Sequence, residues 1–167
     1  MKILTASAVA LSLLACAGVA QAQSAKLFFE GDIVVGGKPG TSDDCVLRNQ
    51  FRRNEKVVWR VRVLDASGKS LDSKALKSLQ VQLPDGQKFA MRFGPHPPPR
   101  VGPTEDHFWA AGWVIPESYP SGTFAYKIVA TDLNGQAHTW EPFKRSTSQL
   151  QVVAGKIDKP KAQPKKK

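Results

Sequence analysis

Cys45, Met91, His96 and His107 carry side chains that bind soft or borderline metals and are the residues a copper site would use. A thiolate, a thioether and two imidazoles are the donor set that selects copper. Met91 falls at the end of an expected strand, His96 in the proline-rich stretch beside it (Pro95-His96-Pro97), and His107 at the start of the next strand. Three ligands so spaced can converge at one end of a β-sandwich, and flanking prolines leave His96 little entropy to lose. The plainer alternative keeps Cys45 as a small buried hydrophobe and Met91 as core filling.

Two further groups suit recognition rather than catalysis. Arg48, Arg52, Arg53, Arg60 and Arg62 crowd into one short stretch. Such a run is either a solvated strand face or a docking face for an acidic partner, to which guanidinium groups are well matched. Trp109 and Trp113 share one parity, so on a strand they share one face. They are either core or an exposed platform for a sugar, the cell envelope or a partner. His138 reads as an outward strand residue. No G-x-S-x-G elbow, H-E-x-x-H pair, P-loop, dinucleotide fingerprint or C-x-x-C-H is present, so no coherent catalytic site or covalent haem is expected. Asp65, Asp85 and Asp132 lie in turns, where a carboxylate satisfies backbone N–H groups.

These residues need a scaffold, and the chain of 167 residues is long enough for one domain. Residues 1–22 read as a signal peptide: Lys2 is followed by an apolar stretch and by Ala20-Gln21-Ala22, with cleavage expected before Gln23. The competing reading takes Leu13-Leu14-Ala15-Cys16 as a lipobox, which would anchor the protein to a membrane through lipidated Cys16. Export to the periplasm is expected in both cases. Losing residues 1–22 removes Lys2 and no acid, lowering the formal charge from +10 to +9. Residues 156–167 hold six Lys against one Asp, a composition that cannot build a core and is expected to be disordered. Cys45 is then the one thiol of the mature domain, so no intramolecular disulfide is expected.

Residues 23–155 read as a run of short strands. Val57, Trp59, Val61 and Val63 alternate with polar or opposite-facing residues, the pattern of a half-buried strand. Similar segments are expected at 26–35, 79–83, 88–93, 107–115, 123–131, 138–143 and 150–153. Pro84-Asp85-Gly86-Gln87 makes a hairpin turn, and Asn134-Gly135 marks another. Residues 94–104, rich in proline, are expected to form a loop outside any ladder. A single helical turn is expected within 71–79.

Two stretches carry a wider pattern. One is Phe51-x3-Glu55-x-Val57-x-Trp59-x-Val61-x-Val63-x-Asp65-x2-Gly68; the other is Ile115-Pro116-x2-Tyr119-Pro120-x-Gly122-x3-Tyr126-x-Ile128-x-Ala130-x-Asp132-x2-Gly135. Together they resemble the bacterial immunoglobulin-like and fibronectin-III-like modules of exported proteins. The resemblance implies an all-β, immunoglobulin-like antiparallel sandwich of seven to eight strands, with a binding, spacer or accessory role more often than an enzymatic one. The segment around Cys45, the Pro/His stretch and the Lys tail depart from the bare module. The expectation is a non-catalytic periplasmic accessory module that docks on a larger exported partner with an acidic surface, such as a redox protein. The alternatives are a copper-type metal protein and an envelope or carbohydrate binder. Nucleic acid is not expected as a partner, and a membrane is expected only if Cys16 is lipidated.

Overall fold

The structure, a computed structural model, describes residues 26–37, 46–96 and 106–156. The leader with Cys16, the thiol Cys45, the proline-rich residues 97–105 and the tail beyond Lys156 lie outside the described residues. The described chain is all-β, with strands β1 (Phe28–Val35), β2 (Gln50–Arg53), β3 (Lys56–Leu64), β4 (Leu76–Gln82), β5 (Lys88–Ala90), β6 (Arg92–His96), β7 (Asp106–Val114), β8 (Gly122–Phe124), β9 (Lys127–Asp132), β10 (Ala137–Trp140) and β11 (Leu150–Lys156). A 3-10 turn, Ser146–Ser148, precedes β11. Two four-stranded antiparallel sheets, β1-β3-β7-β6 and β10-β9-β4-β5, enclose the core, and a three-stranded sheet β2-β11-β8 completes it. The pairing of β11 with β2 is parallel; the other pairings are antiparallel.

Strand β3 buries Val57, Trp59, Val61 and Val63, as its alternation demands. Trp59 is the central side chain. Its ring stacks on Phe89 from the opposite sheet (5.6 Å between centroids) and on Trp113 (6.3 Å), and meets Tyr126 edge-on (6.1 Å). Among the described residues its buried indole N–H has no hydrogen-bond partner, a penalty of about 1–3 kcal/mol that the packing of so large a side chain must offset. The turns follow the Asx logic. Asp132 Oδ1 accepts from the N–H groups of Asn134 and Gln136, and Gly135 takes the positive φ (86°) that closes the turn. A single turn at Asp72 precedes β4, where the N–H groups of Ala75 and Leu76 donate to Asp72 O.

Two expected strands each divide in two, because the chain changes sheets inside them. Residues 88–93 split at Met91. Its N–H still donates to Leu79 O of β4, while the next residue, Arg92, pairs with Ala110 of β7. Residues 123–131 split between Phe124, which pairs with Leu150 of β11, and Lys127, which pairs with Gln82 of β4. The proline-rich stretch also differs from expectation, since Gly94, Pro95 and His96 do join a ladder, opposite Phe108, His107 and Asp106. They can because β6 is an edge strand, where a missing N–H is tolerated. Strand β11 takes in Lys156, the first residue of the expected tail.

Candidate functional site

The metal-ligand set does not assemble around Met91. That side chain is buried in the core, five residues before His96, which is about 16 Å of strand. His96 and His107 do sit on adjacent steps of the β6–β7 ladder, opposite Asp106 and Pro95. The His107 ring stacks on Phe93 (5.9 Å). Cys45 lies outside the described residues, among which no three His, Cys, Asp or Glu gather as a metal cluster would.

The five arginines do not form one face. Arg48, Arg52 and Arg53 belong to β2 and its approach, Arg60 and Arg62 to β3, and a tight turn at Asn54 (φ 68°) puts the two strands in different sheets. Four of them are engaged internally. Arg60 donates twice to Asp32 (2.8 and 2.5 Å), Arg62 pairs with Asp106 (2.6 Å) and Arg48 with Glu55 (2.6 Å). Arg53 donates to Tyr119 O (2.7 Å) and Ser121 Oγ (3.0 Å). Arg52 is exposed. A carboxylate within contact of each of three guanidinium groups removes most of the field an acidic partner would feel.

Trp109 and Trp113 are core, so neither indole is offered to a sugar or partner. Trp109 is buried with its N–H donating to Leu71 O (2.9 Å). Trp113 is 8% exposed and meets Tyr119 edge-on at 4.8 Å. His138 is half-buried rather than outward, with Nε2 3.2 Å from Asp132 Oδ2. That contact, followed by the backbone N–H of Gln136, holds the Asp132 carboxyl below its ordinary 3.8.

The concave surface lies elsewhere, along the gap between the edge strands β1 and β10. A groove of about 770 Å³ runs between Gly31, Asp32 and Ile33 of β1, residues 47–49, Tyr126 and the segment from Trp140 to Ser148. A second hollow of about 610 Å³, bounded by residues 26–29 and 138–140, lies on the other side of Trp140. A shallower trough of about 310 Å³ crosses the outer face at Glu30, Asp32, Arg60, Arg62 and Phe108. Each of the three borders part of residues 28–33 of β1.

Local sequence explains this shape. Gly31 faces inward, and a Cβ there would stand 3.6 Å from the Trp140 ring and 3.4 Å from Arg60 O and Val61 Cγ2. A methyl group there would make ordinary contact with the indole, and a larger side chain would run into it. Pro142 follows Trp140 closely and cannot extend a ladder, so β10 stops at Trp140 and not at 143 as expected. Phe143 is consequently 82% exposed, and Leu47 on the facing rim is 67% exposed. Tyr126 lines the groove at 5% exposure, and among the described residues no hydrogen-bond partner reaches its hydroxyl. Burial first, and the nearby Asp32 charge second, push its ionisation well above the ordinary 10.0, so it is a neutral O–H donor. The wall also carries Lys144 and Glu141, beside Asp32 and Arg48, which are paired with Arg60 and Glu55.

The groove therefore offers apolar walls, a phenolic donor and an open strand edge, a combination suited to holding an extended chain. Sequence reasoning missed Gly31, Leu47, Tyr126, Trp140 and Phe143 as a group. The signal available was Trp140-Glu141-Pro142-Phe143, two large aromatics straddling a proline that must end the strand. No protein-family model matches this chain, and no curated protein is significantly similar to it.

Proposed function

We propose that this chain is a non-catalytic binding module of the cell envelope. In this reading it is an exported, immunoglobulin-like sandwich that docks on a periplasmic partner through the gap between β1 and β10. One observation carries it: Phe143 and Leu47, on facing rims of the 770 Å³ groove, leave most of their apolar surface in water. Large apolar side chains that border a concave site are placed as anchors for a partner. The formal charge, +10 for the chain and +9 without residues 1–22, favours an acidic partner and steers its approach.

The test is recovery of partners by the tagged, full-length protein from the periplasm of its own cells, beside a Leu47→Asp/Phe143→Asp double variant. A partner retained by the parent at low salt and weakened at high salt is expected, with recovery falling about tenfold or more for the variant. Equal recovery by the two proteins, or no partner for either, overturns the reading.

A further inference from the structure

The outer edge of β1 is only half used. Val35 N–H donates to Val46 O (2.9 Å) and Arg48 N–H donates to Ile33 O (3.3 Å), so residues 46–48 run antiparallel beside residues 33–35. Gly36 N–H turns the other way, to Lys56 O. Backbone groups alternate in direction along a strand, so Phe29 and Gly31 present theirs on the same outer edge as Ile33 and Val35. The covering segment stops short of them. At Asn49 it departs for another sheet, where Asn49 O accepts from Gln151 N–H (2.8 Å) and β2 begins. Among the described residues, the N–H and C=O groups of Phe29 and Gly31 on that edge have no partner. At eight residues β1 is also the longest edge strand described. Edges of that length are ordinarily shortened, covered or blocked.

We propose that an extended segment of the partner adds to β1 as a further strand along residues 28–32, in line with residues 46–48. The proposal rests on reading the groove as a docking site and names how that site is filled. Alternate side chains of the incoming strand, about 7 Å apart, fall into the two hollows on either side of Trp140. Those hollows are walled by Ile33, Tyr126 and Phe143 on one side and by Leu27 and Phe29 on the other, so the inserted residues are apolar. The phenol of Tyr126 supplies a donor for a carbonyl or carboxylate of the segment. Charge selects what flanks the apolar residues. Lys144 and Arg145 follow Phe143 and Lys26 precedes β1, three cations against the carboxylates Glu30 and Glu141, while Asp32 is already held by Arg60. The segment is therefore one in which apolar residues alternate with carboxylates.

The probe is a set of synthetic octapeptides in which Phe, Val or Leu alternates with Glu. Each is also made with alternate backbone nitrogens methylated, in both registers, and with Lys in place of Glu. Binding to the full-length protein is followed by fluorescence, and amide exchange is read residue by residue. Members of the set are expected to bind, to slow exchange at Phe29 and Gly31, and to lose about tenfold in affinity when the nitrogens facing β1 are methylated. The Lys peptides are expected to bind more weakly than the Glu peptides. Equal binding of methylated and parent peptides, with Phe29 and Gly31 exchanging freely, overturns strand addition. In that outcome, binding that is still abolished by Phe143→Asp leaves the groove as a docking site. Failure of the whole set to bind also overturns strand addition. Gly31→Pro, which deletes one of the edge donors, is expected to abolish the protection. If that variant does not fold, the N-methyl peptides carry the same test on the unaltered protein.

Discussion

The sheet β1-β3-β7-β6 has two edges, and they are finished differently. At β6 the chain closes the sandwich itself: residues 88–96 run from one sheet to the other through Met91, and Pro95 has no N–H to offer a newcomer. At β1 the covering segment peels away at Asn49 and leaves residues 28–32 bordering three hollows. Equivalent ends of one sheet are thus finished differently. A chain that crosses between sheets seals the side it crosses and leaves the other side open. On the sealed side Met91 is buried and Phe89 and Phe93 are half-buried, whereas Phe143 and Leu47 on the open side stand mostly in water.

Substitutions should reproduce this asymmetry. The largest effect is expected at the sealed edge, where Met91→Ala removes a buried crossing residue and costs about 2–5 kcal/mol in urea denaturation. Next, Gly31→Leu on the open edge forces a side chain against Trp140 and the β3 backbone. A loss of about 1–3 kcal/mol is expected, with a change in near-ultraviolet dichroism as the indole is displaced. Phe143→Ser should move stability by no more than about 0.5 kcal/mol while abolishing partner recovery. A loss comparable to that of Met91→Ala would mean that Phe143 is a structural residue and would break the comparison.

The smallest effect is pH-dependent and belongs to neither edge. Asp65 is held below its ordinary pKa first by the Ser67 hydroxyl and then by Lys69 N–H, and Asp132 is held low by His138 and Gln136. A carboxyl lowered in the folded state contributes stability that is present above its ordinary 3.8 and is lost as pH falls through the lowered value. Thermal midpoints should therefore be level from neutral to mildly acidic pH and fall below about pH 4. Asp132→Asn should shrink that fall, and an unchanged profile for the variant would remove Asp132 as a contributor.

The fold was largely legible because it is written in period two. Val57, Trp59, Val61 and Val63 announce β3, and Pro84-Asp85-Gly86-Gln87 announces the β4–β5 hairpin. The eleven strands among the described residues exceed the seven to eight expected because alternation continues unbroken through Met91 and through Tyr126. Both sheets face one core, so a residue that points inward on one sheet still points inward after the chain crosses to the other. Strand β2 carries only Phe51 into the core, too short a run to register as alternation. The candidate site was barely legible. The polar and aromatic residues that attracted notice, Arg60, Arg62, Trp109 and Trp113, prove to be paired or buried. The exposed ones, Leu47 and Phe143, look like any other apolar residues in a list.

From its sequence alone this chain was determined to be an all-β protein with Trp59 at its centre and carboxylates in its turns, because strand alternation and turn chemistry act between residues close in the chain. Only the tertiary structure decided where strands change sheets, which arginines meet a carboxylate, and which strand edge stays uncovered. Those outcomes depend on pairings between segments far apart in sequence, such as Gly31 with Trp140 or Asn49 with Gln151. No local pattern encodes which partner a strand edge will find.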